Sequence, residues 1–321
     1  MRPGLTLAVT CGVGLLAQRA DADTNDLVMS RLSTAASERV IGQNLEFRSL
    51  ASELGVVLAP HMLTPADTVG FGGFQFTFDI ADTTIDNTAT YWRARESANP
   101  TMTGAQGTST LRTIGLFARK GIWLPLPSFE IGLGAVHLVD SNIWAGQMYA
   151  KFAVVEGYHQ LPLPSLAVRG GVSRMMTQRE LDLTIASLDI TASKHLSIGD
   201  TWRFEPFVGW NLLVIIPRSE VIEPTPTIDP LMPGSDADSK LNFVFKDQDN
   251  IYRQRVVLGA KFRYHVLQLT IEAAFALRGT STDDRPGTSD PCMPGSATAN
   301  CDATDTAKAQ RTLSVAAGFD F

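Results

Sequence analysis

The chain has 321 residues, 44% hydrophobic and 19% charged, with a formal net charge of −6. That apolar content excludes a disordered chain, and an acidic balance without a basic block excludes a nucleic-acid binder. After the N-terminal stretch no apolar run approaches the roughly 18 residues of a membrane-spanning helix. Short strands apolar on one face only are not excluded by that test.

The N-terminus has the order of an export signal: Arg2, an uncharged apolar stretch over residues 5–17, then Ala20-Asp21-Ala22 as a small-x-small cleavage site. Residues 1–22 are therefore expected to be removed, and Cys11 with them. The remaining cysteines, Cys292 and Cys301, lie in a segment rich in Asp, Thr, Pro and Gly. In an exported chain such a pair predicts a disulfide. No His or further Cys stands near them, so a metal pair is not expected. From residue 24 to 60 the spacing changes. Phe47, Leu50, Ala51, Leu54 and Leu58 recur at three- and four-residue steps, as on an amphipathic helix. Asn25 or Asp26 is placed to cap an earlier helix over residues 27–39.

From Val69 onward the period is two, as in strands with one apolar face. Trp202, Phe204, Val208, Trp210, Leu212, Val214 and Ile216 alternate with Arg203, Glu205, Gly209 and Asn211. Tyr252, Val256, Leu258, Ala260, Phe262 and Tyr264 alternate with Arg253, Arg255, Lys261 and Arg263. Ten strands are expected, over residues 69–82, 110–124, 128–140, 143–158, 165–178, 180–195, 201–216, 251–265, 266–278 and 311–321. Soluble sandwich strands usually run about five or six residues; these are longer and carry aromatics near their ends, which fits a tilted bilayer span. The phase of residues 181–190 changes as if bulged, and Pro206 is expected near an interface. An alternative makes residues 49–62 a strand and raises the count to twelve.

The connections fall into two alternating classes. Short turns lie at 125–127, 162–164, 197–200 and His265; long polar loops at 83–109, 217–250 and 279–310 all belong to the other class, which also holds short connections near 141–142 and 177–179. Leu-Pro-Leu-Pro-Ser at 124–128 recurs at 161–165, which places both copies on one rim. Leu313, Val315, Ala317, Phe319 and Phe321 alternate to the end of the chain. This last strand, closing on Phe319 and Phe321, resembles the assembly signal of Gram-negative outer-membrane β-barrel proteins. The resemblance implies an all-β fold: an antiparallel up-and-down transmembrane barrel over residues 69–321, with the long loops outside. It implies bacterial outer-membrane lipids and the barrel-assembly machinery as partners. Residues 23–68 then form a helical plug or a periplasmic segment.

Inward positions of such a barrel include Glu130, Arg203, Glu205, Arg253, Arg255, Lys261, Arg263, Glu272 and Arg278. They make either a paired, hydrated interior or, through Arg253, Arg255, Lys261 and Arg263 on one strand, a cationic constriction that selects anions. His195-Leu196-Ser197 has the His-x-Ser spacing seen in some barrel lipid hydrolases, at the rim of the short turns, where a plain turn is the simpler reading. The acids at 236–238 and 247–250 lack the Gly and terminal Glu of a calcium loop. The expectation is a narrow passive channel for small or amphiphilic solutes; the alternative is a non-conducting surface, adhesion or structural barrel displaying its loops. No enzyme activity, cofactor, metal or nucleic-acid partner is expected.

Overall fold

The computed structural model describes residues 23–32, 40–41, 45–100, 104–123, 128–156, 163–198, 201–224, 242–283 and 303–321. Residues 1–22 of the expected export signal, Cys292 and Cys301 of the expected disulfide, and residues 33–39 of the expected first helix lie outside them.

Ten strands close into one antiparallel barrel. They are β1 (Phe74–Thr84), β2 (Thr110–Ile122), β3 (Phe129–Leu138), β4 (Trp144–Val155), β5 (Ser165–Met175), β6 (Leu181–Ser193), β7 (Trp202–Ser219), β8 (Ile251–Tyr264), β9 (Leu267–Ala276) and β10 (Gln310–Asp320). Each pairs with its neighbours in sequence, and β10 pairs back onto β1, from Thr312 opposite Thr83 to Asp320 opposite Gln75. The wall therefore has no free edge. The expected twelve-strand alternative does not form, because residues 45–57 are helical: α1 (Leu45–Val57).

The outward face of the wall is apolar. Phe78 and Ile80 on β1, Leu188 and Ile190 on β6, Val256 and Leu258 on β8, and Leu313 and Val315 on β10 are each 40–50% exposed. Inward positions are buried and mostly polar, among them Thr77, Asp79, Glu130, Lys151, Arg169, Asp189, Arg255 and Glu272. An apolar band around a polar interior inverts the arrangement that water selects and matches hydrocarbon outside. Aromatics gather at strand ends: Trp202 beside Tyr264 (ring centroids 4.6 Å) at the short-turn rim, and His137 on Trp144 (4.4 Å) at the long-loop rim.

Two expectations change in detail. The first strand starts at Phe74 rather than Val69; Gly70 and Gly72 take positive φ values of 76° and 79°, which lets the chain reverse at the short-turn rim. The phase change in residues 181–190 is not a bulge, since β6 pairs with β5 and β7 without interruption. Leu181, Leu183 and Ile185 point inward, followed by Ser187, Asp189 and Thr191. The chemistry of the lumen changes with depth while the backbone phase does not. The irregularity lies instead between Ala153 and Val155, where β4 meets β5.

Candidate functional site

The lumen is occupied by the chain's own N-terminal part. Residues 23–32 pack among the loops of the long-loop rim: Asn25 N–H donates to Asp140 O (2.7 Å) and Met29 N–H to Glu180 Oε2 (2.9 Å). Val40–Ile41 pairs in parallel with Val244–Phe245 in the loop between β7 and β8. α1 then enters the barrel. Its apolar residues Phe47, Leu50, Leu54 and Val57 join wall residues Leu111, Met175, Leu183, Leu213 and Ile215 in one core. Gly55 is needed there, because a Cβ would stand 2.5 Å from Ile215 Cδ1.

Glu53, on the same helix, accepts from Tyr91 Oη (2.8 Å), Trp92 Nε1 (2.7 Å) and Asp86 N–H (3.1 Å), fastening α1 to the first long loop. Ser52 donates to Asp305 Oδ2. Burial pushes the carboxyls of Asp305 and Glu180 above their ordinary values, although Ser52 and the Ala307 N–H pull against this at Asp305, as the Met29 N–H does at Glu180.

Beyond α1 the chain runs down the barrel without helix or strand, and the wall holds its backbone. Gln147 Nε2 and Ser173 Oγ donate to Leu58 O (3.0 and 2.8 Å), Arg255 Nη2 to Pro60 O (2.7 Å), and Arg169 Nη1 to His61 O (2.9 Å). Lower down, Leu63 N–H donates to Glu272 Oε2, Ala66 N–H to Ser193 Oγ (3.0 Å), and Lys151 Nζ to Asp67 O (2.9 Å). These partners come from β4, β5, β6, β8 and β9, so the segment is gripped from several sides of the barrel. The wall charges also pair with each other: Arg169 with Asp189 (2.5 Å), and Lys151 with Glu130 (3.2 Å). His61, on the segment, faces Asp79 of β1 at 3.7 Å, both almost fully buried.

Of the expected constriction residues, Arg253, Arg255, Lys261, Glu205 and Glu272 are buried in the lumen. Arg253 and Arg255 meet the plug rather than an opening: Arg253 Nη1 donates to Ser52 Oγ (2.7 Å) and Arg255 Nε to Asn211 Oδ1 (2.7 Å). Lys261 and Arg263 share Asp320 Oδ2 at 3.1 and 2.9 Å. Arg278 lies past the end of β9 and is exposed, outside the lumen. Phe319 and Phe321 face outward, and the Phe321 backbone exchanges hydrogen bonds with Phe74 (2.8 and 2.9 Å), closing the final turn of the wall.

A polar cavity of about 400 Å³ remains at the short-turn end, lined by Thr64, Glu130, Lys151, His195, Arg203, Glu205, Arg263 and Asp320 among others. At its mouth His195 Nδ1 is 2.8 Å from Glu205 Oε1, and His195 Nε2 is 3.2 Å from Ser197 Oγ. The His-x-Ser spacing was legible in sequence. The third member was not, because Glu205 comes from the following strand and reaches His195 only through the register of the turn.

The closed sheet, apolar exterior and polar filled interior define a transmembrane β-barrel of the Gram-negative outer-membrane class. No family model matches the sequence, and no curated protein does. Among solved structures, the attachment invasion locus protein Ail of Yersinia pestis, in complex with the heparin analogue sucrose octasulfate, is 10% identical with a TM-score of 0.27; the match covers 78% of this chain and 99% of that one. Neisserial surface protein A is 9% identical with a TM-score of 0.30, covering 78% and 97%. At such scores the likeness adds nothing to what the strand topology itself shows.

Proposed function

We propose that the protein is a closed outer-membrane barrel that passes no solute along its axis and presents a folded platform of loops, with its own N-terminal segment, at the cell surface. The observation that carries this reading is the occupation of the lumen by residues 58–69, with their backbone held by Gln147, Ser173, Arg255, Arg169 and Lys151. Outer-membrane barrels keep short turns in the periplasm and longer loops outside. On that orientation, residues 23–32 sit outside and the chain crosses the lumen before it enters β1. Display for adhesion or anchoring is the role this geometry supports best. A narrow passive channel would require residues 58–69 to leave their hydrogen-bonded places.

The test is an epitope inserted between Asp23 and Thr24, probed on intact cells with a membrane-impermeant antibody. The proposal expects labelling without permeabilisation. Labelling only after the outer membrane is opened would overturn the orientation and the display reading with it.

A further inference from the structure

We propose that Ser197, His195 and Glu205 form a hydrolytic triad at the short-turn rim, acting on carboxylic esters of lipids in the adjacent leaflet. The proposal goes beyond the closed-barrel reading and does not depend on it.

The site follows from strand register. After β6 the chain turns, and residues Leu196–Ile198 pair back onto the start of β7, with Ser197 opposite Arg203 and Leu196 opposite Phe204. Residues directly opposite in an antiparallel pair project to the same side, and alternate residues share a face. His195, Ser197, Arg203 and Glu205 therefore occupy one face of this ribbon, while Trp202 and Phe204 occupy the other. Glu205 is nearly buried, His195 is part-exposed and Ser197 is exposed. That ordering is what nucleophilic catalysis needs: a reachable hydroxyl, a base beside it, and a sheltered carboxylate that fixes the base.

With Nδ1–H donated to Glu205, the His195 Nε2 lone pair faces the Ser197 hydroxyl at 3.2 Å. Ser197 Oγ then attacks the ester carbonyl carbon as its proton passes to His195 Nε2. Collapse of the tetrahedral intermediate breaks the C–O bond to the alcohol, which leaves with that proton. Water attacks the resulting acyl-serine, again giving a proton to His195. Release of the carboxylic acid returns the proton to Ser197. Arg203, opposite Ser197 in the register, is the cation placed to stabilise the carbonyl oxygen as it becomes negative. Glu205 is a positioning residue.

The lipid assignment rests on a second feature. An apolar groove of about 390 Å³ lies at the same rim, lined by Trp202, Phe262, Tyr264, Leu267 and Leu269, and Arg263 borders both this groove and the polar cavity beside the triad. The groove lies on the outward face of the ribbon and the triad on the inward face, so an acyl chain resting in the groove reaches Ser197 when its ester end turns over the rim past Arg263, which both faces share.

The experiment treats the full chain in detergent with a fluorophosphonate, which loses fluoride on bonding to an activated serine. It then measures fatty-acid release from phosphatidylglycerol mixed micelles and turnover of a short water-soluble p-nitrophenyl ester. The proposal expects the adduct on Ser197, release of fatty acid from the phospholipid, and loss of both activities by about 10³-fold or more in Ser197→Ala and His195→Asn. Glu205→Gln should lower kcat and move the acidic limb of the pH–rate profile, a change that a merely structural carboxylate would not cause. An unlabelled Ser197 in the wild-type barrel overturns the triad. Turnover of the short ester without any phospholipid hydrolysis overturns the lipid assignment.

Discussion

At the long-loop end of the lumen the inward residues are Leu111, Leu181, Leu183, Leu213 and Ile215, packed on the apolar side of α1. At the short-turn end they are Glu130, Lys151, Glu205, Lys261 and Asp320, around a cavity. Both sets belong to the same wall, and β7 supplies members of each, Leu213 and Ile215 to one and Glu205 to the other. Near the loops, the wall and the helix bury each other as a soluble core does, and apolar area removed from water provides the driving force. Near the turns the segment has no helix, so its backbone oxygens and amides must find partners on the wall. The upper end is sealed by packing. The lower end is ordered by polar pairing and keeps open space, and that is where His195 and Ser197 are accessible.

The largest loss is expected at Arg169. Its guanidinium pairs with buried Asp189 and also holds the carbonyl of His61. Arg169→Ala leaves Asp189 buried with Asn211 as its hydrogen-bond partner and the Arg255 charge nearby, and removing one member of a buried pair costs about 3–5 kcal/mol. Urea unfolding followed by the mobility shift of the folded barrel on gels should show a loss of that size. An unchanged midpoint would mean that the polar grip contributes little.

A smaller effect is expected at the packed end. Gly55→Val forces side-chain atoms into Ile215, and overpacking of this kind costs about 1–3 kcal/mol. Protease cleavage within residues 45–57 should speed up while the wall stays folded. Unaltered cleavage would show that α1 is held by its loop contacts rather than by the wall.

The smallest effect is electrostatic. The carboxyls of Glu180 and Asp305 are raised by burial, so the folded state holds their protons more tightly than the unfolded chain. Their contribution therefore favours docking of the N-terminal segment at acidic pH, and is lost as pH rises through the raised folded-state values. Protection of residues 23–32 and 45–57 from protease should fall as pH rises above the ordinary carboxylate range, and the double variant Glu180→Gln, Asp305→Asn should flatten that slope. A slope that survives the double variant would assign the dependence to other groups.

The wall was largely legible in the sequence, because period-two alternation survives wherever one face meets lipid. Trp202 to Ile216 and Tyr252 to Tyr264 took their faces as the spacing predicts. The helix spacing of Phe47, Leu50 and Leu54 also led to a helix. What could not be read was where the helix goes. Its destination inside the lumen lets Leu181, Leu183 and Ile185 point inward, while Leu188 and Ile190 further along the strand face lipid, so the apolar set changes faces and the period alone gives a false bulge. The arginines of β8 looked like a pore lining for the same reason: alternation tells which side a residue faces, and nothing about what already fills that side. The path of residues 58–69 follows from many single hydrogen bonds to different strands, a pattern without a period. His195 and Ser197 were visible as a pair; Glu205 joined them only through pairing across a turn.

The most direct test of the filled lumen is single-channel current from the protein inserted in a planar bilayer, with insertion verified independently. A filled lumen gives no steady conductance from the wild-type chain, and a current that appears when the lumen segment, residues 45–69, is replaced by a short linker. A stable ohmic current from the wild-type barrel, reduced by Arg253→Ala or Arg255→Ala, would contradict it and restore the cationic constriction as the working part of the molecule.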